Sequence, residues 1–128
     1  MTDLRMILAV AAGGAIGSVA RYLAGIGATR LFGLAFPWGT LLVNIAGSFL
    51  IGVLVEMFAL RWNLSQELRV LLTVGICGGF TTFSTFSLDA YALMARADWW
   101  LAAGYVAASV TLSIGALIAG LHLVRALA

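Results

Sequence analysis

The chain has no lysine and only one cysteine, one proline and one histidine in 128 residues, and just 9% of its residues are charged. A single thiol, Cys77, excludes an internal disulfide and any cysteine-based metal cluster, and it leaves the redox compartment open. The lone imidazole, His122, and Cys77 have no metal-ligand or nucleophile spacing around them, which argues against an enzyme. Seven arginines and five carboxylates are scattered singly, so the pI of about 9.2 arises without a basic patch that would suit nucleic acid. Ordinary soluble domains devote about a quarter of their residues to charge. Here the space is filled with apolar side chains: 63% of residues are hydrophobic, and mean hydropathy is +1.11. The composition is that of an integral membrane protein.

A spanning helix needs about 20 mainly apolar residues. Four such stretches are predicted, over 5–30, 37–60, 67–95 and 99–125, within one all-α transmembrane domain covering 1–128. Met1–Ala11 has some features of a signal peptide, but its apolar character runs on, so it reads as the start of the first span. Trp38, Trp62, Trp99 and Trp100 fall near the span ends, where aromatic belts form at membrane interfaces. With four spans, Arg5, Arg61, Arg69 and Arg125 lie on one side, facing Arg30 and Arg96 on the other, with Arg21 near that second edge. This bias is too small to fix one orientation by the positive-inside rule. Dual insertion is therefore expected, with two opposed copies forming an inverted-repeat assembly. Four packed helices fill their own centre, so a water-filled path would have to run between subunits. Gly13/Gly17 and Gly75/Gly79 match the small-residue spacing used for close helix packing.

The polar atoms inside the spans are ordered. Thr40, Asn44 and Ser48 recur every four residues along the second span, and Tyr105, Ser109 and Ser113 do so along the fourth, which aligns each set on one helix face. In the third span, Gly75, Gly78 and Gly79 precede the run Thr81-Thr82-Phe83-Ser84-Thr85-Phe86-Ser87, with no charge from Val70 to Leu88. Irregular backbone at membrane depth is tolerated only if buried in protein or lining a wet path, so an unwound segment over Gly75–Thr82 would point to a conduit. Single Ser or Thr residues often bond back to their own helix, and Asn44 alone could serve as interhelical glue; three aligned sets favour a track. Carboxylates mark cation paths, whereas hydrogen-bond donors and arginines mark anion paths. Asp3, Glu56, Glu67, Asp89 and Asp98 all read as lying at or near span ends. The deepest charge is Arg21, which either snorkels to the interface or draws anions into a vestibule. Phe83 and Phe86 add ring edges of positive potential. Freed carbonyls at the glycines could hold a cation such as Na⁺, if two copies supply them together.

Gly39-Thr40-Leu41-Leu42-Val43-Asn44 with Gly47, and Gly78-Gly79-Phe80-Thr81-Thr82-Phe83-Ser84-Thr85-Phe86, resemble the Fluc (CrcB) family of bacterial fluoride channels, and the likeness extends over essentially the whole chain. The resemblance implies an antiparallel homodimer in the bacterial inner membrane, with the third helix broken near its centre. It further implies two fluoride pores, a structural Na⁺ at the dimer interface, and passive export of toxic fluoride. It assigns Phe83 and Phe86 to the fluoride contacts and Asn44 to the anion or to orienting that pair. Thr40, Tyr105, Ser109 and Ser113 would extend the polar track, with Ser84 and Thr85 alongside. The carbonyls of Gly78 and Thr81 would hold Na⁺, and Arg21 would face a vestibule. A small dual-topology, proton-coupled multidrug exporter is the rival reading. It needs a membrane-embedded carboxylate, and the first span has none between Leu4 and Arg30.

Overall fold

The computed structural model describes residues 3–128, and the described chain is helical from end to end apart from short connections. α1 (Leu4–Phe32) starts where the Asp3 carboxylate accepts the Arg5 N–H at 3.0 Å, satisfying one first-turn donor. It stops at Gly33, whose φ of 81° ends the helix while its N–H closes on the Thr29 carbonyl. Pro37, with no N–H to lose, sits immediately before α2 (Trp38–Leu60). Ser65 caps α3 (Gln66–Val70) by accepting the Leu68 N–H. The same helical rod continues through a π-helical stretch (Leu71–Cys77) into α4 (Gly78–Phe80). α5 (Phe83–Ala95) follows, and Ala97 takes a left-handed φ of 62° before α6 (Trp99–Leu127). Four helical units, Leu4–Phe32, Trp38–Leu60, Gln66–Ala95 and Trp99–Leu127, are long and apolar enough to cross a membrane.

The glycines differ from expectation in an informative way. Gly75, Gly78 and Gly79 remain helical; extended backbone is confined to Thr81 (φ −91°, ψ 159°) and Thr82 (φ −154°, ψ 121°). The glycines serve contact instead. α1 lies against the π stretch and α4 so closely that a Cβ on Gly75 would stand 2.8 Å from the Gly13 Cα, and one on Gly79 2.7 Å from the Gly14 carbonyl oxygen. α2 and α6 meet in the same manner through Gly52, which faces Leu117, and Gly120, which faces Phe49 and Val53. Without a hydrophobic drive between helices in lipid, such close approach is the available source of dispersion energy. At one end of this second pair, Arg125 Nε donates to Glu56 at 2.9 Å, compensating a carboxylate that is itself buried.

The core is small: Leu41, Phe86, Ala90, Leu93, Ala102 and Tyr105 form its centre. Large apolar side chains elsewhere point outward, among them Trp100, 92% exposed, and Leu34, 81% exposed. A soluble monomer rarely displays so much apolar surface; lipid or another chain covers it. The protein is a multi-pass membrane protein.

Candidate functional site

Thr81 and Thr82 are held extended by a side chain from the neighbouring helix. Asn44 Nδ2 donates to the Thr82 carbonyl at 3.0 Å, and Asn44 Oδ1 accepts the Thr82 N–H at 2.8 Å. One side-chain amide thus satisfies both backbone polar groups of a residue that has left the helix ladder. Thr82 then caps α5 by accepting the Thr85 N–H at 3.0 Å. Thr81 turns back, its N–H and hydroxyl both donating to the Cys77 carbonyl. Leaving both Thr82 groups unpaired would cost about 1–3 kcal/mol each. Asn44→Ala is therefore expected to lower stability by roughly 2–4 kcal/mol, measured by unfolding in mixed micelles. Asn44→Asp should not restore it, because a carboxylate would face the Thr82 carbonyl with no proton between them.

From this start α5 presents its two phenylalanines. Phe86 is buried, whereas Phe83 is 77% exposed. Their rings meet edge to face with centroids 5.3 Å apart, and Phe86 also packs on Tyr105 at 5.2 Å. Both rings line a cavity of about 740 Å³ whose far wall is α6 and whose floor is α2. Asn44, Gly78, Thr81, Ser109 and Ser113 line the same space. The hydroxyl oxygens of Ser109 and Ser113 are buried and have no hydrogen-bond partner among the described residues. Both residues line that space, and none of its lining residues is Asp, Glu, Lys, Arg or His. The wall thus combines uncharged polar residues with two aromatic rings.

Thr40 and Tyr105 are placed differently from their stripes in the sequence. The Thr40 hydroxyl donates to Asp89 Oδ2 at 2.7 Å and the Tyr105 hydroxyl to the same oxygen at 3.2 Å. Neither residue lines the 740 Å³ cavity. Asp89 is the functional candidate that sequence reasoning missed. It follows Phe86 by three residues, so it shares that residue's face of α5, and this spacing was the available signal. Thr40 instead borders a second cavity of about 520 Å³, together with Arg21, Arg30, Thr82 and Thr85. Arg21 Nε donates to the Gly79 carbonyl at 3.1 Å, so the guanidinium is anchored to the third span while the cavity opens beside it. Ser84 lines neither space; its hydroxyl lies 3.3 Å from that of Thr82.

Electrostatically the extended pair separates two opposite helix ends. α4 ends in the negative, carbonyl end of its dipole and α5 begins with the positive, N–H end, where Thr82 already caps the Thr85 N–H. No side chain among the described residues donates to the Gly78 or Thr81 carbonyl, and both residues line the large cavity. Among the described residues no cluster of His, Cys, Asp or Glu could hold a metal. The donor set at this point is neutral oxygen, which suits a hard alkali cation rather than a transition metal.

Comparisons with known proteins agree with each other. The profile of the family described as "CrcB-like protein, Camphor Resistance (CrcB)" matches residues 8–121. A protein of Nitrobacter hamburgensis named "Fluoride-specific ion channel FluC 1" is 63% identical over 121 residues, covering 94% of this chain and 96% of its own. Proteins named "Fluoride-specific ion channel FluC" from Nitrobacter winogradskyi and Rhodospirillum centenum are 60% and 55% identical, over 93% and 95% of this chain and 94% and 97% of their own.

Proposed function

This chain belongs to the CrcB family of membrane proteins, not to a family of enzymes, and we propose that it is a fluoride channel that lets the ion leave the cytoplasm passively. The observation that carries this reading is that Ser109 and Ser113, whose buried hydroxyls find no partner among the described residues, line one uncharged cavity with Phe83 and Phe86. Hydroxyl hydrogens and ring edges can replace the water around a compact halide one contact at a time. With no Arg or Lys in the wall, the ion is not bound too tightly to leave. A larger halide forfeits less hydration on entry but cannot approach donors spaced for a small one. Arg21 and Arg30, bordering the 520 Å³ cavity, supply the attraction that concentrates anions at the mouth. Asn44 acts by holding Thr82, and through it the start of α5, so that the phenylalanines stand at the cavity.

The conducting unit is an antiparallel homodimer in the bacterial inner membrane, with one pore along each polar wall. What supports this is an open cavity on a single protomer, a 77% exposed Phe83 beside it, and arginines distributed without a strong bias to either side. The third span is broken at Thr81–Thr82, and Na⁺ belongs between the protomers. There the carbonyls of Gly78 and Thr81, repeated by the two-fold axis, would surround it and fix the two copies to each other.

Purified protein in liposomes is expected to release fluoride rapidly while retaining chloride, read with ion-selective electrodes. Equal chloride loss would end the selectivity claim. Asp89 and Glu56 are carboxylates inside spans that a proton-coupled exporter could use, Glu56 being tied to Arg125, and the same vesicles test that reading. An imposed pH gradient should leave the reversal potential for fluoride where its own concentration gradient sets it. A shift with proton gradient would favour the exporter.

A further inference from the structure

Four helical bonds are lost where the third span becomes extended, and the first two of their acceptors, the Gly78 and Gly79 carbonyls, meet different fates. In a continuous helix the Gly78 carbonyl would accept the Thr82 N–H, and the Gly79 carbonyl that of Phe83. The Thr82 N–H goes to Asn44 instead, and Phe83 opens a new helix. The Gly79 carbonyl is recovered by Arg21, whose Nε lies 3.1 Å away across 58 positions of sequence. The reach is possible because Gly13, Gly17 and Arg21 form one row on α1 at four-residue spacing. The first two bring α1 into backbone contact with the π stretch and α4, and the third extends over Gly79 from the next turn. No side chain among the described residues does the same for the Gly78 carbonyl one residue earlier.

We propose that Arg21 is a positioning residue for the central cation: by holding the Gly79 carbonyl inside its own protomer, it orients the adjacent peptide units so that Gly78 and Thr81 are the carbonyls left for Na⁺. This rests on the Na⁺ reading above and adds a residue to it. Arg21 therefore has two separable properties. Its charge serves the anion mouth, and its Nε–H serves the cation site on the opposite side of the same backbone segment. Arginine suits both tasks, since its guanidinium stays charged at depth and offers further donors after Nε is committed.

Two uncharged replacements separate the properties. Glutamine places an amide N–H the same number of bonds from Cα as the arginine Nε, whereas methionine has a similar stem and no donor. The measurement is dimer fraction in detergent, counted by single-molecule photobleaching, against Na⁺ concentration with N-methylglucamine holding ionic strength constant. Arg21→Met should raise the half-saturating Na⁺ concentration by about tenfold and Arg21→Gln should stay within about twofold of the unmodified chain, the difference expected for one hydrogen bond to a buried carbonyl. Fluoride efflux at saturating Na⁺ should fall in both, because both lose the charge. Arg21→Leu repeats the donorless arm should the methionine chain lose its helical content. Equal half-saturation in the Gln and donorless variants would overturn the positioning role while leaving the Na⁺ site standing. A dimer of the unmodified chain that is indifferent to Na⁺ would remove the site itself, and this inference with it.

Discussion

Replacing Phe86 with isoleucine should reduce fluoride efflux by on the order of 100-fold, the effect of losing an ion contact worth about 2–3 kcal/mol. The substitution keeps an apolar side chain of moderate size but removes the ring edge. Because Phe86 belongs to the core with Tyr105 and Leu41, some stability will be lost as well, about 1–2 kcal/mol. Efflux must therefore be expressed per intact dimer, recovered by size exclusion. Phe83→Ile is the sharper arm. Phe83 is mostly exposed in the protomer, so its replacement costs the fold of one chain little. If the rings act as donors to the ion, both variants lose comparable flux despite their unequal burial. If they only pack, the buried Phe86 matters and Phe83 does not. Undiminished efflux in both would reduce the phenylalanines to filling.

The largest structural effect should follow from Gly17→Ala. A Cβ at this position would lie against the Ile76 carbonyl oxygen and 2.8 Å from the Phe80 backbone nitrogen. Both are main-chain atoms of a packed helix, so no side-chain rotation relieves the overlap, and α1 must move away bodily. The expected cost is about 3 kcal/mol or more, at the upper end of overpacking penalties. Unfolding by SDS titration in mixed micelles, followed by circular dichroism, measures it. Gly104→Ala is the matched control. Nothing lies within 4 Å of a Cβ there, and alanine is the better helix former by about 0.5–1 kcal/mol, so this change should be neutral or stabilising. Similar losses in the two variants would show that glycine content as such, not the contact with Ile76, stabilises the protein.

Much of this was legible from the sequence because membranes impose length and polarity directly. Uncharged runs about 20 residues long, bounded by Trp and Arg, are read as spans without tertiary knowledge, and the four apolar helices lie where such runs occur. The spacings Gly13/Gly17 and Gly75/Gly79 likewise marked close helix packing, though not that the two pairs meet each other. The role of the glycines in the third span was not legible. Gly75–Thr82 looked like an unwound segment, and only Thr81 and Thr82 leave the helix; helix breaking and close approach are both glycine properties, and the position of α1 decides between them. The pairing of Asn44 with Thr82 spans 38 positions and depends on two helices meeting at one height. Asp89 was read, with the other carboxylates, as lying at or near a span end. It lies within α5, where two hydroxyls compensate it. Periodicity placed Thr40 and Tyr105 on faces, but it could not reveal that an acceptor on a third helix would claim them.

Cys77 is 2% exposed, and the chain has no lysine. Maleimides therefore find no accessible target on the folded protein, and a cysteine introduced beside Trp62 or at Ala97 would be the sole reactive thiol. Dye attached there from one face of sealed vesicles reports which way each copy was threaded, molecule by molecule, without any native residue first having to be removed.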